Sequence, residues 1–316
     1  LKNWISQGAQ WSGHWAYEPL NSSVERTGNW IDELVQRQLS SDGISASAKA
    51  EDHILTRRLF FDLVGLPPSK GELDAFLKDT SKDAWEQQID RLLASPHFGE
   101  RMAIYWLDLV RYADTVGYHG DQDVSVSPFR DYIINAFNSN MPFDQFTREQ
   151  LAGDLLTNPT QPQLIASGYN KLGMMSAEGG AQPKEYLTKY ASDRVRTAST
   201  VWLGSTLGCA ECHDHKFDPF TQKDFYQFAS FFADIKERGL YAGANRDGAW
   251  GPSVKVADDE LAGLLKAIDS RLAEMQDTYE STDVSQPFEQ WVTEQQTANT
   301  TWKPMVPSAL SALHET

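Results

Sequence analysis

Apolar residues recur at spacings of three and four through most of the chain, which is the period of an amphipathic α-helix. Residues 29–40 carry four apolar side chains on one such face. Residues 54–63 carry five more before Gly65 and two prolines end the helix. Ser69 then stands where an N-cap residue would begin a short helix. Residues 29–77 are therefore predicted to consist of helices joined by short loops.

The same period continues through the middle of the chain, where prolines open several of the predicted helices. We expect helices at residues 83–93, over the apolar stretch 99–115, from Pro128, from Pro142 through Leu156, and near 163–169. A long helix from Pro183 leads into residues 205–219, and Thr221 with Asp224 has the capping-box spacing for the helix after that. We expect the stretch 99–115 to be buried. No strand pattern is found, so the predicted fold class is all-α, a large irregular helical domain with long loops.

Three regions follow from this pattern. Residues 1–28 are aromatic and aperiodic and are predicted to be an extended lead-in, and residues 29–250 form the helical domain. Residues 251–316 form a helical tail whose apolar residues step alternately by four and three: Leu261, Leu265, Ile268, Leu272, Met275 and Tyr279. This seam suits a coiled coil or an antiparallel helical pair. A helix lying on its own domain is the alternative.

The only two cysteines of the chain, Cys209 and Cys212, stand directly before His213. Cys-x-x-Cys-His is the attachment signature of c-type haem. Thiols three residues apart on a helical turn point to one side, where each can form a thioether with a vinyl group. The histidine then follows in place to bind the iron. The motif predicts one covalent haem c, with His213 as the proximal ligand, and the helical domain built around it.

Zinc binding and thiol redox chemistry fit the motif less well. A structural zinc site needs about four ligands, and the chain has no second cysteine pair. A thioredoxin-like redox pair should accompany alternating strands and helices, which the sequence lacks. A chance arrangement of two buried thiols beside a surface histidine is the remaining alternative.

Charge and hydropathy restrict the partners. The chain has 316 residues and a formal net charge of −16, which argues against a nucleic-acid partner because phosphate binding needs a basic surface. No run approaches the roughly 18 apolar residues of a membrane span. The chain does not begin with Met, so we expect a processed or excised segment. Haem of the c type is generally attached outside the cytoplasm. The predicted haem is therefore the one feature of the residues that indicates an extracytoplasmic location.

Six blocks in order resemble the planctomycete-type c-type cytochrome family, catalogued as domain of unknown function family 1549. They are LTRRLFFDLVGLPPS (55–69), LLASPHFGERMAIYWLDLVRYADT (92–115), MPFDQFTREQLAGDLL (141–156), EGGAQPKEY (178–186), DRVRTASTVWLG (193–204) and GCAECHDHKFDP (208–219). The resemblance covers about residues 25–240 and implies a secreted, cell-surface or periplasmic haem protein. It also implies a middle domain of a longer chain, near polysaccharide-degrading systems, with no assigned activity.

The sixth iron ligand decides the chemistry. His119, in a glycine-rich and acidic loop after an apolar stretch, is the best distal candidate. Met174 or Met175 is the thioether alternative, although methionine is more often core filler. His215 is poorly placed, because two residues along a helix rotate a side chain by about 200°. An open site is the other possibility, and His14, His53 and His97 are predicted to be surface or helix-end residues.

Charged residues could serve the haem or a second ion. Arg194 and Lys216, with Arg196, are candidate partners of the haem propionates, although surface ion pairs are their ordinary role. An oxygen-rich set could hold Ca²⁺, although it has no recognisable loop signature: Asp114, Asp121, Asp123 and Glu178.

Two main functions remain open. A second strong ligand would leave electron transfer with a redox partner protein, which we favour. An open or displaceable site would suit a haem enzyme, peroxidase-like or oxygen-activating, with His119 as acid–base group assisted by Glu178 or Asp114. In a third hypothesis the haem is structural or sensory, and the tail serves assembly with flanking domains or a homo-oligomer.

Overall fold

The structure is a computed structural model that describes residues 1–10, 13–19, 28–118, 121–241, 251–256, 259–282 and 285–297. Within these ranges it contains α-helices and short 3-10 helices but no β-strand, which confirms the all-α prediction. The helices are α1 (Lys2–Ser6), α2 (Trp30–Ser41), α3 (Asp52–Leu63), α4 (Lys70–Lys78), α5 (Ala84–Leu93), α6 (Pro96–Leu109), α7 (Ser127–Asn138), α8 (Phe143–Ala152), α9 (Gln161–Ala166), α10 (Pro183–Leu203), α11 (Gln222–Ser230), α12 (Asp259–Ser281) and α13 (Ser285–Thr297).

Local signals start several helices where the sequence predicted. The Ser69 hydroxyl accepts the Glu72 N–H at 3.3 Å, and the Glu72 carboxylate accepts the Ser69 N–H at 2.9 Å, so a full capping box opens α4. Thr221 and Asp224 make the same reciprocal pair at the start of α11. Pro183 opens α10. These starts are confirmed.

Two helices end earlier than the sequence predicts. The helix from Pro142 ends at Ala152 and continues only as a 3-10 turn, Gly153–Leu155. Gly153 lies against the Gln163 carbonyl oxygen, where a Cβ would come within 2.2 Å, so a residue with a side chain would not fit here. The stretch 99–115 leaves its helix at Leu109.

The expected burial of that stretch is one-sided. Ala103 and Trp106 of α6 are buried, whereas Ile104 and Tyr105 are exposed. An amphipathic helix buries only the face that meets its neighbours. The apolar composition of this stretch therefore predicted more burial of α6 than the structure shows.

Aromatic packing among α6, α7, α8 and α10 forms the main core. The Trp106 ring lies 4.7 Å from the Phe146 ring and 5.6 Å from the Trp202 ring. Its indole N–H donates to the buried Gln150 side chain at 2.8 Å. Since a buried donor without an acceptor is costly, this bond makes the tryptophan acceptable in the core.

Helix α10 connects this core to the cysteine motif. Val195, near the middle of the helix, is fully buried and packs in one cluster with Leu207, Ala210 and Phe225. Leu207 and Ala210 belong to the segment that carries the cysteines. Helix α10 therefore leads directly into the motif and also packs against its buried residues.

The chain divides into two compact units, Leu1–Val254 and Lys255–Thr316. In the second unit the six predicted seam residues of α12 are between 46% and 81% exposed, so pairing of this helix stays a prediction. Among the described residues, no helix is both long enough and apolar enough to span a bilayer.

Candidate functional site

Cys209 lies within a 3-10 turn and Cys212 follows directly after it, so the motif does not lie on a regular α-helix. The turn is Leu207–Glu211, and the Cys212 N–H donates to the Cys209 carbonyl oxygen at 3.4 Å. Side chains at positions i and i+3 of a 3-10 helix eclipse each other. Both thiols are free and exposed. Placement of both sulfurs on one side of the turn stays a prediction, which the exposure of both thiols permits.

The floor of this turn is apolar. Leu207 and Ala210 are buried against Val195 of α10 and Phe225 of α11. The residues that alternate with them, Cys209 and Cys212, remain at the surface. The buried positions of the turn therefore face the core, and both cysteines lie at its solvent-exposed surface.

The imidazole of His213 is held by a hydrogen bond through Nδ1. Its Nδ1 lies 2.8 Å from the Asp214 carbonyl oxygen. A carbonyl can only accept, so Nδ1 carries the proton and Nε2 keeps its lone pair in the neutral ring. Metal-ligating histidines are commonly oriented by such a bond from their second nitrogen. His213 is exposed, so a ligand can reach it.

His215 has the opposite arrangement. Its Nδ1 accepts the Asp218 N–H at 2.9 Å and the Phe217 N–H at 3.4 Å. The Asp218 carboxylate also lies 3.4 Å from Nδ1, but the shorter backbone bond decides the tautomer. The proton then sits on Nε2, which leaves that nitrogen no lone pair for iron. His215 therefore caps the turn after the motif, whereas the Nε2 of His213 keeps its lone pair.

The predicted sixth ligands are not brought to this turn by the described contacts. His119 lies outside the described residues. Met175 is buried in a separate cluster with Val116, Tyr186, Tyr190 and Tyr241. Met174 is exposed and its side chain lies against Gly117. The sixth position therefore stays a prediction.

Two of the three predicted propionate partners already have protein partners. The Arg194 guanidinium is buried, pairs with both carboxylate oxygens of Glu237 and donates to the Asn170 carbonyl at 2.9 Å. Arg196 pairs with Glu211. Lys216 is exposed, with its Nζ 5.2 Å from the centre of the Phe217 ring. Of these three cations, Lys216 is the one that has no carboxylate within ion-pair distance among the described residues.

The acidic residues suggested for Ca²⁺ do not gather. In the part of the chain that the structure describes, no three His, Cys, Asp or Glu side chains form a group that could hold a metal ion. Asp121 accepts the Gly117 N–H at 2.8 Å, and Glu178 is exposed. Asp114 accepts the Tyr112 hydroxyl, and burial together with that hydrogen bond raises the pKa of Tyr112 to about 12.

The lead-in segment reaches the motif, which the sequence did not predict. The Tyr17 hydroxyl lies 3.3 Å from the Ser205 hydroxyl, and its ring meets the Phe220 ring edge-on at 5.8 Å. His14, three residues earlier, accepts the Ala16 N–H on Nδ1 at 3.2 Å. The Tyr17 contacts join residues far apart in the chain, so no local pattern predicts them.

Residues 30–237 match the model of a protein family named PSCyt2, described as a protein of unknown function (DUF1549). No curated protein matches the chain. No solved structure matches it either.

Proposed function

The chain belongs to the PSCyt2 family of unknown function, and we propose that it is a monohaem c-type cytochrome domain that transfers electrons outside the cytoplasm. Cys209 and Cys212 would hold the haem through thioethers, and His213 would bind the iron through Nε2. The domain would be the middle part of a longer chain. Its partner would be a redox protein.

The arrangement of the Cys-x-x-Cys-His turn carries this proposal. Both thiols are exposed at the 3-10 turn, and the hydrogen bond from Nδ1 of His213 leaves the lone pair of Nε2 free. The porphyrin supplies four ligands to its iron, so the protein needs to add only one or two. Bound in this way, haem supplies one-electron chemistry at a potential that its surroundings tune.

The surface beside the turn fits docking of a partner. Phe217 and Tyr226 are exposed there, and Tyr226 donates its hydroxyl to the Glu211 carbonyl at 3.1 Å. Exposed aromatic side chains supply apolar contact area near the site. The net charge of −16 favours a basic partner by electrostatic steering. Electron transfer needs only such close approach, since no bond to the partner forms.

The first test is covalent attachment. The full chain is exported from a host that matures c-type cytochromes, beside the variants Cys209→Ser and Cys212→Ser. We expect a haem that stays with the wild-type chain in acidified acetone and adds to its mass. Each single variant should keep at most one thioether, and the double variant none. A wild-type chain without added mass after maturation would disprove the proposal.

The second test separates the two histidines. His213→Ala should alter the Soret band and the reduction potential, because it removes the axial imidazole. His215→Ala is the matched control and should keep the spectrum, because that ring caps a turn. A low-spin spectrum insensitive to cyanide and carbon monoxide supports electron transfer. A high-spin ferric form that binds these ligands and turns over peroxide would favour the enzyme instead.

A further inference from the structure

Glu211, the residue just before Cys212, is held by four hydrogen-bond donors from two helices. Its carboxylate accepts the Ser192 hydroxyl at 2.8 Å and pairs with the Arg196 guanidinium, both from α10. Its carbonyl oxygen accepts the Gln222 side-chain amide and the Tyr226 hydroxyl, each at 3.1 Å, from α11. Glu211 therefore joins α10 to α11 at the cysteine turn.

Glu211 lies between the two cysteines in the chain, so the bonds that fix this residue also restrict the positions of the thiols. The Cys212 N–H to Cys209 carbonyl bond that spans the two cysteines is long, at 3.4 Å. A 3-10 turn with poor hydrogen-bond geometry holds its side chains weakly by itself. The Glu211 side chain is 22% exposed, so its bonds are only partly screened by water. Fixing the residue between the cysteines limits how far each thiol can turn away.

We infer that Glu211 is a positioning residue, which holds Cys209 and Cys212 on one side of the turn before any cofactor is attached. The biological purpose of this role rests on the proposed function, whereas the hydrogen bonds that position the thiols do not depend on it. It assigns a role to an unspecified position of the Cys-x-x-Cys motif. The same clamp would fix the start of the segment that carries His213.

Phenylarsine oxide tests the position of the thiols without haem. The reagent bridges two thiols, forming two As–S bonds and releasing one water, so it binds tightly only where both sulfurs are held close. The haem-free full chain is compared with Glu211→Ala, Arg196→Ala and the control Glu100→Ala, which removes an exposed carboxylate paired with His97 on α6. Alkylation of each thiol by iodoacetamide reports simple accessibility.

We expect Glu211→Ala to weaken phenylarsine oxide binding by about tenfold, the size of one lost hydrogen bond to a charged group. Arg196→Ala should weaken it less, and Glu211→Gln should recover part of the affinity because its amide oxygen can still accept from Ser192. Alkylation rates should stay unchanged, and Glu100→Ala should bind as the wild type does.

Binding within about twofold of wild type in both Glu211→Ala and Arg196→Ala would overturn the inference. If Glu211→Ala fails to fold, Arg196→Ala decides the matter, since Arg196 is 54% exposed and its loss leaves no buried cavity. The proposed function fails separately. A wild-type chain that never takes haem, while the arsenical difference persists, would refute the cytochrome and keep the role of Glu211.

Discussion

Replacing Arg194 by alanine should destabilise the domain strongly and leave haem attachment unchanged. The Arg194 side chain is 6% exposed and that of its partner Glu237 is 10% exposed. The guanidinium donates to Glu237 at 2.9 Å through Nη1 and to the Asn170 carbonyl at 2.9 Å through Nε. Arg194→Ala removes these two bonds and a third from Nη2 to the other Glu237 oxygen, and it leaves that carboxylate buried without its guanidinium.

The expected cost follows from that burial. Removing one partner of a buried ion pair costs about 3–5 kcal/mol. Lys171 lies close enough to matter: burial lowers its pKa, and the Glu237 carboxylate opposes that shift. Lys171 can therefore compensate part of the orphaned charge, which places the loss near 3 kcal/mol. For a domain of roughly 150–250 residues, about 3 kcal/mol lowers the melting temperature by about 6–12 °C.

Thermal unfolding followed by circular dichroism measures this loss. The control is Asp74→Ala, which breaks the exposed pair between Lys70 and Asp74, with side chains 89% and 46% exposed. That pair should contribute less than about 0.5 kcal/mol. The Soret band and the yield of haem-containing protein should match the wild type in both variants. A melting temperature lowered by less than about 2 °C in Arg194→Ala, with a shifted haem spectrum, would refute this reasoning and restore Arg194 as a propionate partner.

Two further stability predictions concern α4 and α6. Gly99→Ala should cost several kcal/mol in denaturant unfolding, because its Cβ would lie 2.4 Å from the Ile134 carbonyl oxygen. Gly71→Ala is the control: its Cβ has no atom within contact distance, so the variant should stabilise α4 by about 0.5–1 kcal/mol. Equal effects of the two substitutions would contradict the close packing at Gly99. Glu72→Gln should cost about 0.5 kcal/mol at neutral pH, a small value because that side chain is 37% exposed. Hydrogen bonds from the Ser69 hydroxyl and N–H lower the pKa of Glu72 below 4.5, so this difference should hold above pH 4.5 and vanish as pH falls through the lowered pKa. A difference that grows in acid would contradict it.

Local patterns were enough for the helical class and for the starts of several helices. The apolar period predicted an all-helical chain, and Ser69, Thr221 and Pro183 marked three helix starts that the structure confirms. These signals work because a cap and the first turn it serves lie within about four residues of each other. The Cys-x-x-Cys-His spacing is local in the same sense, so the sequence could nominate His213 over His215.

Tertiary packing decided the partners of the charged side chains. Arg194 forms a buried ion pair with Glu237, which lies 43 residues further along the chain. No rule based on local residue spacing predicts such a pair. Glu211 is clamped by α10 and α11, and Met175 packs among tyrosines in a cluster that contains no residue of the cysteine turn. Such contacts depend on which helix faces come together, since burial and long-range pairing are properties of the packed domain. The helical class and several helix starts could therefore be predicted from the sequence alone, whereas the side chains that hold the Cys-x-x-Cys-His turn in place required the fold.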